Sequence, residues 1–440
     1  MKRRKGLRAG LGFLAGGSAI ILGLAGCAPG GGGGGASAGP EQGGGGGSIT
    51  VGVEAGSPWE TFYGKLAPEF TKETGVKVKF LPVPHANMHQ QFLSDALSGT
   101  GAYDVYTVDQ TWMPEFASKG YLAEVGDQLR GTDRADFLPH TLDTATYKDK
   151  LYSIPFMVHN TVMYYRTDLF RAAGIEHPPT TWDEYREDAK KLTDSASGVW
   201  GTMIPGKQDG EVATRFESFV QQAGGDIADS NGAPTIDTPE AREALRLMTA
   251  IQNEDKSSPP GLHDLTDMQG QFLEGKVAMV PVWPYLNGLA SDPKSKIAGK
   301  FSVAPSPGNP DQVSTTFSWG YGVSSSSKNI DAAKKWVAWS TSSKVLEQLS
   351  RAQAVPVPRQ SAGDAIAKAS DLSEAQRQTL GVFNKSVASS KTMPMTPAYS
   401  QYQDAIAVAV SSVMSGTKDI DSALATAQKS MENAHASVGK

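Results

Sequence analysis

The sequence predicts an α/β fold in two lobes with a cleft between them, and three observations predict it. From Ile49 onward, segments that read as strands alternate with segments that read as amphipathic helices, the pattern of strand–helix–strand units and parallel sheet. Leu151 to Phe170 then reads as one long strand crossing between two bodies: Ile154, Phe156 and Val158 alternate with smaller or polar neighbours, and Val162 to Tyr165 restarts the pattern. Pro155 forbids a regular central ladder there and makes a hinge. Phe317 to Val323, with Trp319 and Tyr321 set between glycines and serine, reads as a second crossing.

The first residues are an export leader. Lys2, Arg3, Arg4, Lys5 and Arg8 form a basic start, and Leu11 to Leu24 is apolar but short and glycine-rich for a spanning helix. Leu24-Ala25-Gly26-Cys27 looks like a lipobox, in which residues 1–26 are removed and Cys27 receives a lipid; it is the only cysteine among 440 residues. Arg3-Arg4 is compatible with twin-arginine as well as general export. Residues 27–48 are almost all glycine with alanine, serine and proline, a tether that cannot bury enough apolar surface to order itself. Its glycines satisfy a dinucleotide-binding pattern trivially, with no strand before them and no helix after.

The chain carries −5, and the five basic residues of the leader have no acid beside them, so the remainder carries −10. That excludes a nucleic-acid partner, which needs a basic face. No later apolar run approaches the roughly 20 residues of a spanning helix, so membrane attachment rests on the lipid, a diacylglycerol giving the two chains that stable anchoring needs.

In order, Ile49–Val53 is a strand, Glu60–Thr74 a helix with Phe62, Leu66 and Phe70 at spacings of four, and Val76–Phe80 the next strand after Gly75. A helix over Met88–Leu97 and a buried strand over Tyr103–Val108 follow, then a short helix over Phe116–Leu122. Beyond the first crossing come a short helix over Asp168–Ala173 and a helix whose Thr181 and Glu184 form a capping box. Trp200–Ile204 is a strand, Arg215–Ala223 a helix, and Pro239–Asn253 a helix capped by Thr238, with Ala241, Leu245, Met248 and Ile251 inward. Strands over Val277–Val280 and Phe301–Ala304 and a helix over Ile330–Ser340 precede a mostly helical remainder, clearest over Ala405–Met414 and Ile420–Ala436.

This order of segments resembles extracellular solute-binding protein family 1, the maltose-binding-protein-like receptors of ABC importers. Four stretches carry the resemblance, which covers essentially all of 49–440: Glu69 to Val78, Tyr103-Asp-Val-Tyr with Gly120-Tyr-Leu122, Tyr147 to Phe170 with Pro179 to Glu184, and Gly275 to Pro284. It implies a two-lobed periplasmic-binding-protein fold of type II with three interlobe crossings and a ligand cleft. Lobe one is then 48–157 plus 320–343, and lobe two 158–319 plus 344–440. It also implies a monomeric, lipid-anchored receptor on the extracellular face of the bacterial cytoplasmic membrane. Such a receptor captures a carbohydrate by cleft closure and passes it to permease subunits, without catalysis, cofactor or metal.

A sugar shows hydroxyls around its rim and an apolar face of C–H groups, so its site needs aromatic plates beside carboxylates or amides. Such residues stand at strand ends here: Glu54 and Trp59, Asp109 and Trp112, Asn160 beside His159, Trp283 and Tyr285, Trp319 and Tyr321. The resemblance aligns Trp283 with a position that stacks on sugar. Each has a competing packing role, and for Asp109 a turn-capping one. Tyr164, His159 and Arg359 are read mainly as packing, and so are Trp182, Trp336 and Trp339 at helical spacing. Where the maltose binder has an acid beside the first crossing this chain has His159, so its hydroxyl contacts are not transferable.

Other chemistries fail on their residues. Gly201 to Lys207 nearly spells a phosphate loop, but Gln208 replaces the Ser or Thr that would hold magnesium. There is no H-E-x-x-H, and His85 and His89 lack an acidic third ligand. The remaining alternatives are a polyol or glycerol phosphate as ligand, the latter wanting convergent Arg or Lys, and a surface carbohydrate-active enzyme with paired carboxylates.

Overall fold

Ile49, Val51 and Val53 alternate to one buried side of the strand Ser48–Glu54, and the chain returns through the helix Pro58–Thr74 to lay Lys77–Val83 parallel beside it. Ser57 caps that helix by accepting from the Glu60 N–H at 3.1 Å. Val105–Asp109 joins in parallel on the other side, as the crossover rule demands. The structure, a computed structural model, describes residues 47–138, 140–309, 312–353 and 355–438. The leader, Cys27 and the glycine-rich run to residue 46 lie outside the described residues.

The first sheet is mixed. Its order is Lys391–Thr392, Thr315–Val323, Val105–Asp109, Ser48–Glu54, Lys77–Val83, and Ser153–His159 also pairs with Thr315–Val323. The second has four strands: Phe301–Pro305, Val162–Arg166, Val277–Val282 and Trp200–Thr202. Each sheet has its own apolar core, and core membership shows where the chain changes sides. Residues from Ile49 to Met157 belong to the first core, Val162 to Phe317 to the second, Trp319 to Ala362 to the first again, and Ile366 to Met431 to the second. There are thus three crossings between two lobes. Two are short backbone links, at 158–161 and at Ser318; the third runs along the helix Gln360–Ala367.

Two expectations need correction. The first crossing is not one strand broken at Pro155 but two strands, Ser153–His159 and Val162–Arg166, separated at Asn160 and Thr161. Ser153–His159 pairs only with Thr315–Val323, so it is an edge, where a proline without an N–H is tolerated. Pro155 lies opposite Gly320 where the register shifts, and a side chain at 320 would meet the Ile154 carbonyl at 3.0 Å, so glycine allows the close approach. The second correction concerns 344–362. Val345, Leu346, Leu349, Val355, Val357 and Ala362 pack into the first core, whereas the expected division gave 344–440 to lobe two. Apolar positions on a helix show that it is buried, not which core buries it.

The helix expected to start at Arg215 runs from Gly210 to Gln222, with Asp209 capping it by accepting from the Val212 N–H at 3.0 Å. Every side chain from Val212 to Gln222 is buried. Trp182 lies in the second core and Trp336 in the first, and Trp339 packs beside Trp336, as their spacing predicts. Among the described residues no helix is long and apolar enough to cross a membrane.

Candidate ligand cleft

The cleft is about 750 Å³ in volume, and its walls come from both lobes. From the first lobe the end of Ser48–Glu54 brings Glu54, the loop after it Ala55 and Gly56, and the first turn of the helix Pro58–Thr74 Trp59; the turn after Lys77–Val83 brings His85, and the end of Val105–Asp109 brings Asp109 and Thr111. The second lobe supplies Asp209, Glu211 and Thr214 from the start of the helix Gly210–Gln222, and Trp283 and Tyr285 from the turn after Val277–Val282. Met157, His159, Phe317 and Trp319, on the crossing strands, form the floor.

The Trp283 turn is held from below and from the side. Tyr164 Oη donates to the Pro284 carbonyl at 2.9 Å, and Gln269 Nε2 donates to Tyr285 Oη. The indole N–H of Trp283 donates to Glu211 Oε2 at 3.1 Å, while Arg215, itself bonded to Glu211 Oε1, lies with its guanidinium 5.2 Å from the indole centroid. His159 and Phe317 pack edge-on to the same indole at 4.9 and 5.2 Å. Burial holds the His159 imidazole neutral, its pKa lowered to about 4. Burial also pushes the Glu211 carboxyl up, against the pull of Arg215 and the Trp283 N–H.

On the first-lobe wall, His85 Nδ1 meets Glu54 Oε1 at 3.1 Å, and that bond raises the imidazole pKa. Asp109 Oδ1 accepts from the Thr111 N–H at 2.8 Å, yet burial still raises its carboxyl. Trp59 lies 6.1 Å from Trp319.

Of the nine residues singled out from the sequence, the cleft brings together six: Glu54, Trp59, Asp109, Trp283, Tyr285 and Trp319. Three are elsewhere. Tyr321 shares the face of Trp319 on one strand but lies two residues deeper, about 7 Å along, where it is fully buried against Phe156 at 4.6 Å and Tyr63 at 5.5 Å. Trp112 stacks on Phe92 at 6.0 Å and meets Phe116 edge-on, so it closes the core beside the helix Met88–Ser98. Asn160 is fully buried in the first crossing, with neither amide atom partnered within the described protein.

The sequence reading missed Asp209, Glu211 and Thr214 because it began their helix one turn too late. Asp209 followed by an acid in the first turn was the available signal. His85 was weighed only as a metal ligand, although it follows a strand end two residues after Val83.

Two lobes joined by three crossings thus bring aromatic rings and carboxylates from both to one cleft. Residues 56–347 match the family profile of bacterial extracellular solute-binding proteins, and the chain belongs to that family. It is 26% identical over 293 residues to a probable amino-acid ABC transporter periplasmic-binding protein of Sinorhizobium fredii, a match covering 64% of this chain and 66% of that protein, just under two thirds of its length. It is 27% identical over 387 residues to the diacetylchitobiose-binding protein of Streptomyces coelicolor, covering 86% of this chain and 87% of that protein. Among solved structures, maltose-bound MalE3 of T. maritima superposes with a TM-score of 0.78 at 26% identity, covering 88% of this chain and 99% of the other.

Proposed function

We propose that the protein is the substrate-binding component of an ABC importer, that its ligand is a carbohydrate, and that it hands the ligand to membrane permease subunits without covalent chemistry. The observation that carries this is the convergence of Trp59, Trp283, Trp319 and Tyr285 with Glu54, Asp109, Asp209 and Glu211 in one cleft built from both lobes. Rings match the C–H faces of a sugar and carboxylates its hydroxyl donors, and a ligand touching both lobes stabilises the closed arrangement. The maltose and diacetylchitobiose named for two similar proteins agree with this chemistry. A glycerol phosphate ligand fits poorly, because no lysine or arginine is among the lining residues.

On this reading lobe one comprises about 48–157 and 319–362, lobe two the rest of the body, with closure at the crossings. Cys27, in Leu24-Ala25-Gly26-Cys27, is the lipid attachment point that keeps a monomeric receptor at the outer face of the cytoplasmic membrane.

The test is thermal unfolding of the protein against mono- and oligosaccharides, polyols, glycerol phosphate and amino acids. A ligand at a hundredfold excess over its Kd stabilises the native state by about 2.7 kcal/mol. A shift with a sugar that disappears in Trp283→Ala supports the reading. A shift with amino acids or phosphates alone refutes the carbohydrate assignment.

A further inference from the structure

The charge of the cleft narrows the ligand class, and this step rests on the carbohydrate reading above. Four carboxylates line the cleft, Glu54 and Asp109 from one lobe, Asp209 and Glu211 from the other, and no lysine or arginine does. Arg215 backs Glu211 but is itself only 1% exposed. His159 is neutral, which leaves His85, bonded to Glu54, as the one lining side chain able to carry positive charge. Asp109 and Asp209 accept from the backbone N–H groups of Thr111 and Val212, the side chains of Thr111 and Trp112 also approach Asp109 as donors, and neither acid has an ion-pair partner among the described residues. The two sets of acids line one shared space, with Tyr285 beside them in the same wall.

An excess of acceptor-only groups repels an anion and leaves a neutral ligand to satisfy carboxylates with hydroxyls alone. An ammonium supplies three donors and the missing charge at once. The rings beside the acids suit the same group, because a cation is attracted to an aromatic face. An independent feature points to the rest of the ligand. Trp59, 7% exposed in the cleft wall, has an indole N–H with no acceptor among the described residues, so the wall also holds a donor that calls for a ligand oxygen.

We infer that the cleft selects an amine-bearing carbohydrate, a sugar or short oligosaccharide with at least one free ammonium among its hydroxyls. The ammonium lies among the carboxylates of the two lobes, and the hydroxyls and ring face meet the indoles.

Calorimetric titration with three β-1,4-linked disaccharides tests it: the glucosamine dimer with free amines, its diacetylated form and cellobiose. Each is run at low and high salt on the wild type, Asp109→Asn and Asp209→Asn. The expected result is that the free-amine dimer binds at least about tenfold more tightly than either neutral dimer, the worth of one charge-assisted hydrogen bond. The advantage shrinks at high salt, and both variants lower free-amine affinity by a larger factor than cellobiose affinity. Circular dichroism confirms that the variants fold; should one not, the salt dependence and the other variant still decide. Equal or tighter binding of a neutral dimer overturns the inference and leaves the carbohydrate reading standing. No binding of any of the three, with a thermal shift from non-sugar solutes only, overturns both.

Discussion

The imidazole of His85 lies stacked on the indole of Trp319, ring centroids 5.6 Å apart and planes 17° from parallel. The same imidazole meets Glu54 at 3.1 Å, so one side chain links a carboxylate and an aromatic plate of the cleft wall. The Glu54 bond raises the His85 pKa, with Asp109 adding to it against partial burial. A His whose folded pKa is raised contributes stability that is complete below its unfolded pKa, near 6.5, and is lost as pH rises through the folded value. NMR titration should therefore place His85 above 6.5 in the wild type and return it towards 6.5 in Glu54→Gln. An unchanged pKa in that variant would remove Glu54 as the cause.

Buried Arg215 and part-buried Glu211 form an ion pair one helical turn apart, and two further guanidinium nitrogens of Arg215 have no partner among the described residues. Glu211→Ala leaves a buried cation uncompensated and should cost about 3–5 kcal/mol in urea unfolding. Arg215→Met combined with Glu211→Gln should recover most of that loss, because the charge goes with its partner. A double variant as unstable as Glu211→Ala alone would show that packing under Trp283, not charge, sets the cost.

Glu217 lies on the same helix, fully buried, and accepts from Tyr399 Oη at 2.5 Å. Burial pushes its carboxyl up to about 8 from 4.5. The native state then holds a proton that the unfolded state has lost between those values, so stability falls as pH rises from about 4.5 to about 8. At about 1.4 kcal/mol per unit the loss is roughly 3–5 kcal/mol. Glu217→Gln keeps an acceptor for Tyr399 and should flatten that part of the profile; an equally steep profile in the variant would assign the slope to other groups.

Gly201 sits where the strand Trp200–Thr202 passes under the helix Trp182–Leu192. A side chain there would meet the Ala189 carbonyl oxygen at 1.8 Å. Gly201→Ala must lift the helix from the sheet and should destabilise by about 3 kcal/mol or more. A change in melting temperature below a degree would show that the helix shifts freely.

Much of this architecture is legible in local pattern. Strand ends followed by turn residues placed Glu54, Asp109 and Trp283 at the mouth of the sheets, and in the structure all three line the cleft; Trp319, expected at a strand end too, lines it from the middle of Thr315–Val323. Tyr321 was not separable from Trp319 by pattern. Both sit on one face of one strand, and what distinguishes them is the cover that Tyr63 provides from a helix distant in sequence and Trp336 from the helix that follows. Asp209 and Glu211 were obscured for a different reason. A helix buried on nearly every side has no polar stripe to mark its phase, so its start had to be read from the cap alone. Core assignment across 344–362 needed the third dimension for the same reason that Tyr321 did.

The helix Gln360–Ala367 carries Ala362 in one core and Ile366 in the other, about one turn apart. A hydrogen-bonded rod transmits torque and bends only by breaking its own ladder, whereas the links at Asn160 and Thr161 and at Ser318 are extended chain, Ser318 within a strand paired to Ser153–His159. The three connections therefore differ in stiffness as well as in sequence: two compliant ribbons beside one strut. Swinging about the strut leaves its length unchanged, while shear or separation of the two bodies has to strain it. If the cleft closes as proposed, the least costly motion is therefore a swing about an axis set by the eight residues of Gln360–Ala367, which follow closely on Val355 and Pro356 of the cleft wall.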